Sequence, residues 1–262
     1  MFQSPGYLAF SILSFDIHWY GIIMAFAILC GIFAVIFIRN KFYKEISIDS
    51  ICDISLILII WGIIFARLYY VVLDYDYFLR HPNEILAIWN GGISIQGAII
   101  GGLIGFYEYY LLHNINFFKY ADLLSFGVIV GQIVGRWGNF FNSEAFGLPC
   151  NLPWKLYIPY ANRPLEYKGF EYFHPTFLYE SILNIFVLLV MLLVLYKFPK
   201  RKKGLIFCLY LILYSIVRII IETFRVDSVL SFGIFHVAHI MAILFILFAI
   251  FLLFFINKKT EN

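Results

Sequence analysis

Long apolar runs separated by short polar segments set the pattern of this chain. Seven windows of about 20 mostly apolar residues, the length a helix needs to cross a hydrocarbon core, cover residues 19–38, 51–72, 93–112, 121–140, 176–196, 205–224 and 237–256. The predicted fold class is an all-α integral membrane protein with seven transmembrane helices in a single polytopic domain, residues 1–262. The longest connection, about residues 141–175, is rich in Pro, Asn, Trp and Tyr and is expected to form a long outer loop between helices four and five. The residues before Trp19 hold no basic n-region and no small-residue cleavage site, and read as an external interfacial segment with no signal peptide removed.

Lys and Arg in the connections orient this arrangement. With the N-terminus outside, the inner segments hold Arg39, Lys41, Lys44, Lys119, Lys197, Lys200, Arg201, Lys202, Lys203, Lys258 and Lys259, eleven in all. The outer segments hold five: Arg80, Lys155, Arg163, Lys168 and Arg225. The positive-inside bias therefore predicts the N-terminus outside and the C-terminus cytoplasmic. Gly97, Gly101 and Gly105 in the third helix, and Gly127, Gly131 and Gly135 in the fourth, form small-residue stripes that let backbones approach in lipid. They predict that these two helices form the centre of the bundle.

Composition narrows the class. Apolar residues make up 63% and only 35 side chains are charged, against about 45–50% apolar and 25% charged in soluble domains. Disorder and a disulfide scaffold are excluded. A net charge of +3 gives no basis for a nucleic-acid partner. Cys30, Cys52, Cys150 and Cys208 are scattered, with no CxxC for a metal or redox site.

Arginines inside apolar windows are the informative charges, because an ionisable group in the membrane is costly and marks function by default. Arg67, Arg136 and Arg225 fall near the outer ends of helices two, four and six, with Arg218 roughly 10 Å deeper at about 1.5 Å per residue. For Arg67, snorkelling to headgroups is an equally good reading. Arg218, Glu222 and Arg225, at offsets of four and three, share one helix face. An acid between two arginines can hold their guanidinium planes, and a planar fork of donors suits a phosphate. The segment GRWGNFFNSEAFG, residues 135–147, adds Arg136, Asn139, Asn142 and Glu144 at the outer mouth of helix four. That is far more polar equipment than a helix exit needs. His236 and His239 have no third ligand at matching depth and read as structural. His18 and His174 read as interfacial hydrogen-bonders, while Asp53 and Asp122, near inner helix ends, read as caps or headgroup contacts.

GRxGNFxNxExxG resembles the signature of the prolipoprotein diacylglyceryl transferase family, with every position filled. Further blocks agree in order: HWYG at residues 18–21, WNGGISIQG at 89–97, HPTFLYES at 174–181 and RIIIETFRVDS at 218–228. The resemblance implies transfer of a diacylglyceryl group from phosphatidylglycerol to the lipobox cysteine thiol of a bacterial prolipoprotein, in the bacterial cell membrane. The products are a thioether and glycerol phosphate, and neither metal nor organic cofactor is needed. On this resemblance Arg136 and Arg225 bind phosphate and stabilise the leaving group. Asn139, Asn142 and Glu144 orient them or the headgroup glycerol, Tyr20 contacts lipid or thiol, and Arg218 and Glu222 support substrate binding. Gly147 matches the final glycine of the signature, a backbone requirement. Many relatives carry histidine where this chain has Gln96, which has no useful basicity. Either a tyrosine, Glu144 or the leaving phosphate takes the proton, or the position serves only to hold substrate by a hydrogen bond, the reading preferred here. The alternative, a transporter or flippase for an anionic lipid or small solute, predicts repeated halves or broken helices, and the sequence has neither. A haem-bearing subunit needs histidines paired at equal depth, which are also lacking.

Overall fold

The computed structural model describes residues 2–13, 15–226, 231–232 and 235–258. Helices dominate: α1 (Trp19–Phe42), α2 (Ile48–Leu73), the short α3 (Tyr75–Arg80), α4 (Ile95–His113), α5 (Phe117–Asn142), α6 (Thr176–Lys197), α7 (Leu205–Glu222) and α8 (Val237–Lys258). Six of them, all but α3 and α4, are long and apolar enough to cross a membrane. At 19 residues α4 reaches about 28 Å, but Gln96, Glu108 and His113 dilute its apolar run. Each of the seven predicted windows coincides with a helix, and six qualify as spans. Large apolar side chains remain exposed along them, among them Phe33, Leu103, Phe186 and Phe254, as expected of surfaces solvated by lipid rather than water. Short strands occupy the connections: β1 (Phe2–Gln3), the hairpin β2 (Leu8–Ile12) and β3 (Phe15–His18), β4 (Leu156–Tyr157), β5 (Tyr172–Phe173), and the pair β6 (Ser231–Phe232) and β7 (Phe235–His236).

The chain divides into two compact units, Arg39–Tyr120 and Met1–Ile38 with Ala121–Asn262. Within Arg39–Tyr120, Ser47 caps α2 by accepting from the Ser50 amide at 2.9 Å. The Gly97/Gly101/Gly105 stripe of α4 lies against α2. A Cβ at Gly101 would strike the Trp61 carbonyl, and one at Gly105 would come within 2.9 Å of the Trp61 ring. Arg67 neither snorkels nor stands open. It is 7% exposed and donates to the carbonyls of Ile85 (2.8 Å), Gly91 (2.7 Å), Gly92 (2.6 Å) and Glu84 (2.6 Å), pinning the whole connection between α3 and α4.

In the other unit, the Gly127/Gly131/Gly135 stripe of α5 meets α1. A Cβ on Gly31 would lie 2.8 Å from the Gly127 carbonyl oxygen, and one on Gly135 would touch Met24. Each stripe packs within its own unit, that of α4 on α2 and that of α5 on α1. Asp122, 1% exposed on α5, accepts from the amides of Gly204 and Phe207, both at 2.8 Å. It caps the start of α7 from another helix, satisfying amides that have no partner within α7. The connection after α5 folds as a packed cap. Strands β1, β4 and β5 form one sheet, and Phe146, Leu156, Ile158, Phe173 and Phe177 make a buried cluster beneath it. Arg163, buried beside this core, donates to the Ile158 carbonyl at 2.8 Å.

Candidate active site

The polar signature begins on the last turns of α5. Arg136 and Asn139 lie one turn apart on the helix, and α5 ends at Asn142. Ser143 and Ala145 then take left-handed backbone, φ 52° and 55°, each costing a residue with a Cβ about 1 kcal/mol. The turn they make is held: the Glu144 amide donates to the Asn139 carbonyl at 3.1 Å, and the buried Thr176 hydroxyl donates to the Ala145 carbonyl. It also brings the Glu144 carboxylate back over the helix end, where its Oε1 accepts from Asn139 Nδ2 (2.9 Å) and Asn142 Nδ2 (3.4 Å). Tyr20, the second residue of α1, seats its ring on Gly138, where a Cβ would lie 2.9 Å from Tyr20 Cδ2.

Arg136 faces α6. The buried stripe of α6 is polar in its first half, with Thr176, Glu180, Ser181 and Asn184, and apolar beyond, with Val187, Met191 and Leu195. Glu180 pairs with Arg136 (Nη2–Oε1, 2.7 Å) and with Arg218 (Nη1–Oε2, 3.4 Å). Arg218 in turn bonds Glu222 at 2.6 Å, and Arg225 stands 3.9 Å from that carboxylate. The result is a ladder of alternating charge, Arg136–Glu180–Arg218–Glu222–Arg225, shared by α5, α6, α7 and the segment that follows α7. The two acids are sealed, with side chains 2% and 4% exposed, while the three arginine side chains keep 16–21%. An approaching anion therefore meets arginine, and the carboxylates serve to aim it.

Arg225 is not on the helix. α7 stops at Glu222, because the backbone beyond pairs with the cap: Leu148 donates to the Phe224 carbonyl at 2.9 Å, and Gly147 and Arg225 form an isolated antiparallel bridge. Gly147 makes this approach feasible. A Cβ there would lie 2.9 Å from His174 Cβ and Thr176 Cγ2 and 3.0 Å from the Phe224 carbonyl oxygen. His174 accepts the Gly147 amide through its carbonyl at 2.9 Å. Its Nδ1 lies 3.1 Å from the Tyr179 hydroxyl, which receives Trp154 Nε1–H at 2.9 Å. Burial holds the His174 imidazole below its ordinary pKa.

The structure thus gathers Tyr20, Arg136, Asn139, Asn142, Glu144, Gly147, Arg218, Glu222 and Arg225 within one unit. Gln96 belongs to the Arg39–Tyr120 unit. It is exposed on the first turn of α4 and accepts from Ser94 Oγ at 2.6 Å. Glu180 is the residue that sequence reasoning passed over. Its signal was present, a carboxylate inside an apolar window, but only intramembrane arginines were weighed. Among the described residues, no three His, Cys, Asp or Glu side chains gather as a metal-holding group. The side chain of His236 and residues Asp227 and Ser228 of the last sequence block lie outside the described residues.

The family model for prolipoprotein diacylglyceryl transferase matches residues 7–255. The chain is similar to the phosphatidylglycerol–prolipoprotein diacylglyceryl transferase of Acaryochloris marina, 46% identical over 230 residues, 88% of this chain and 83% of the relative. Its similarity to the protein of the same name from Synechocystis sp. is 45% over 233 residues, 87% and 82% of the two chains. That from Trichormus variabilis is 43% identical over 234 residues, 88% and 82%.

Proposed function

The chain belongs to the prolipoprotein diacylglyceryl transferase family, and we propose that it transfers the diacylglyceryl group of phosphatidylglycerol to the lipobox cysteine of bacterial prolipoproteins in the cytoplasmic membrane. The observation that carries this reading is the charge ladder, three partly exposed arginines aimed by two sealed carboxylates. Sulfur attacks the sp³ glycerol carbon, the C–O bond to phosphate breaks, and a thioether and a glycerol phosphate monoester result. Negative charge develops on the departing phosphate oxygen, where preorganised donors lower the barrier most. Arg136 and Arg225 supply those donors, and Arg218 completes the ladder. Nearby guanidiniums also favour thiolate over thiol. The departing phosphate monoester, with a second pKa of about 6, can take the thiol proton, so the step balances without a protein base. Asn139 and Asn142 hold Glu144, and Tyr20 contacts the lipid or the thiol. Gln96 is assigned a positioning role by hydrogen bond.

A seven-helix bundle with the N-terminus outside and the C-terminus cytoplasmic forms part of the same reading. Six helices of spanning length and apolarity, the additional 19-residue helix α4 and the excess of basic residues in the inner connections support it. It puts the ladder in the outer half of the bilayer. The test is to incubate purified protein with phosphatidylglycerol and a lipobox peptide. The cysteine peptide should gain the mass of one diacylglyceryl group, and a serine peptide none. No mass gain with a folded enzyme, or equal gain on serine, would sink the assignment.

A further inference from the structure

One helical turn from the ladder, away from the cap, the same three helices carry a second polar layer. Gln132 lies four residues before Arg136 on α5, Asn184 four after Glu180 on α6, and Ser215 three before Arg218 on α7. Helical spacing sets each beneath its charged neighbour. Asn184 is 0% exposed and Ser215 1%. Both polar atoms of Asn184, Ser215 Oγ and Gln132 Oε1 are sealed and have no hydrogen-bond partner among the described residues. Buried polar atoms in folded proteins are almost always paired, and clusters that are not call for a bound partner. Four such atoms, one helical turn from a site for an anionic lipid, lack the partners they need.

The chemistry of the layer is selective. It offers an amide that donates and accepts, a hydroxyl that does both and an amide oxygen that accepts, with no charge of its own. Tyr210 and Tyr214, on the same helix as Ser215, stack their rings at 5.8 Å. Acyl chains have nothing to bond here, and uncharged hydroxyls match it. The step from Arg136 to the layer is one helical turn, about 5.4 Å, comparable to the three-carbon glycerol unit between a phosphate and its far hydroxyl. We propose that Asn184, Ser215 and Gln132 form the subsite for the two free hydroxyls of the phosphatidylglycerol headgroup, with its phosphate on Arg136. This rests on the transferase reading above and makes the layer the determinant of headgroup choice.

The test is a ratio. Transfer to a lipobox peptide is measured from phosphatidylglycerol and from a phosphatidylpropanol of the same acyl chains, which keeps the phosphodiester and lacks both hydroxyls. A site built to bond a substrate hydroxyl discriminates strongly against the analogue without it, so the wild-type protein should prefer phosphatidylglycerol by at least about tenfold. Asn184→Leu and the milder Ser215→Ala should each bring that preference most of the way to unity. Because both substrates are run on one preparation, the ratio is independent of how much variant folds. Wild-type protein without preference, or variants that keep the wild-type ratio while both rates fall together, would overturn the subsite and leave the layer a purely structural or hydrated one. Wild-type protein inactive on both lipids would instead overturn the transferase reading.

Discussion

Replacing Glu180 by Gln keeps the shape of the side chain and removes the charge that two arginines share. At 2.7 Å and 3.4 Å, and with an effective permittivity of about 20, the two attractions amount to about 6 and 5 kcal/mol. Most of this offsets the desolvation of a carboxylate only 2% exposed, so the net loss on breaking the pairs is about 3–5 kcal/mol. If the guanidiniums stay in place, facing each other with only Arg218 still paired, to Glu222, that loss falls on folding. If they turn outward to escape, it falls on catalysis, and misplacing a preorganised donor costs about 10²–10³ in rate. Measuring thermal unfolding in detergent beside kcat/KM with a lipobox peptide separates the two. The geometry favours the second outcome, because Arg136 and Arg218 retain part of their exposure, so kcat should fall about a hundredfold with KM for the peptide little changed. Glu180→Gln protein within about threefold of wild type in rate and unchanged in unfolding would refute the aiming role.

Gly147→Ala should cost about 1–3 kcal/mol, since its Cβ would meet His174, Thr176 and the Phe224 carbonyl at 2.9–3.0 Å. Activity should fall with stability, because the same backbone pairing sets Arg225, and equal unfolding temperatures for variant and parent would contradict this. Acid should loosen the cap at His174. Its folded pKa lies below the ordinary 6.5, so the opened form binds the proton more readily. The packing is then at full strength above about 6.5 and weakens as pH falls through the lowered value. Proteolysis of the 148–175 region should quicken on acidification in the parent and show a flatter profile in His174→Gln, whereas a flat profile in the parent would count against the burial argument. Gln96→Ala should lower turnover about tenfold, the loss of one hydrogen bond, without moving the pH profile. Unchanged turnover would remove Gln96 from the reaction.

The helices were legible because each is a mostly apolar run close to spanning length, and Arg136 because a lone cation in such a run has few bland explanations. Glu180 was hidden by attention to positive charge alone. Its meaning depends on α5 and α7 bringing arginines to both of its oxygens, and one sequence does not show which helices meet. The glycine stripes announced close packing but not their partners, for the same reason. Arg67 looked like a headgroup contact because the carbonyls it binds belong to the irregular connection of residues 84–92, which leaves no periodic signal. Arg225 read as helical from its spacing, and only pairing with Gly147 across the chain ends α7 before it. The left-handed Ser143 and Ala145 could not be foreseen, since glycine is the ordinary choice for that backbone.

Arg136 at one end of the ladder and Arg225 at the other are the groups on which the account depends. The most direct measurement is the rate of diacylglyceryl transfer from phosphatidylglycerol to a lipobox cysteine by purified Arg136→Ala and Arg225→Ala proteins that are folded and membrane-inserted. Each should have lost transfer, by at least about 10²–10³. Near-wild-type rates in either would contradict the phosphate role assigned to that arginine.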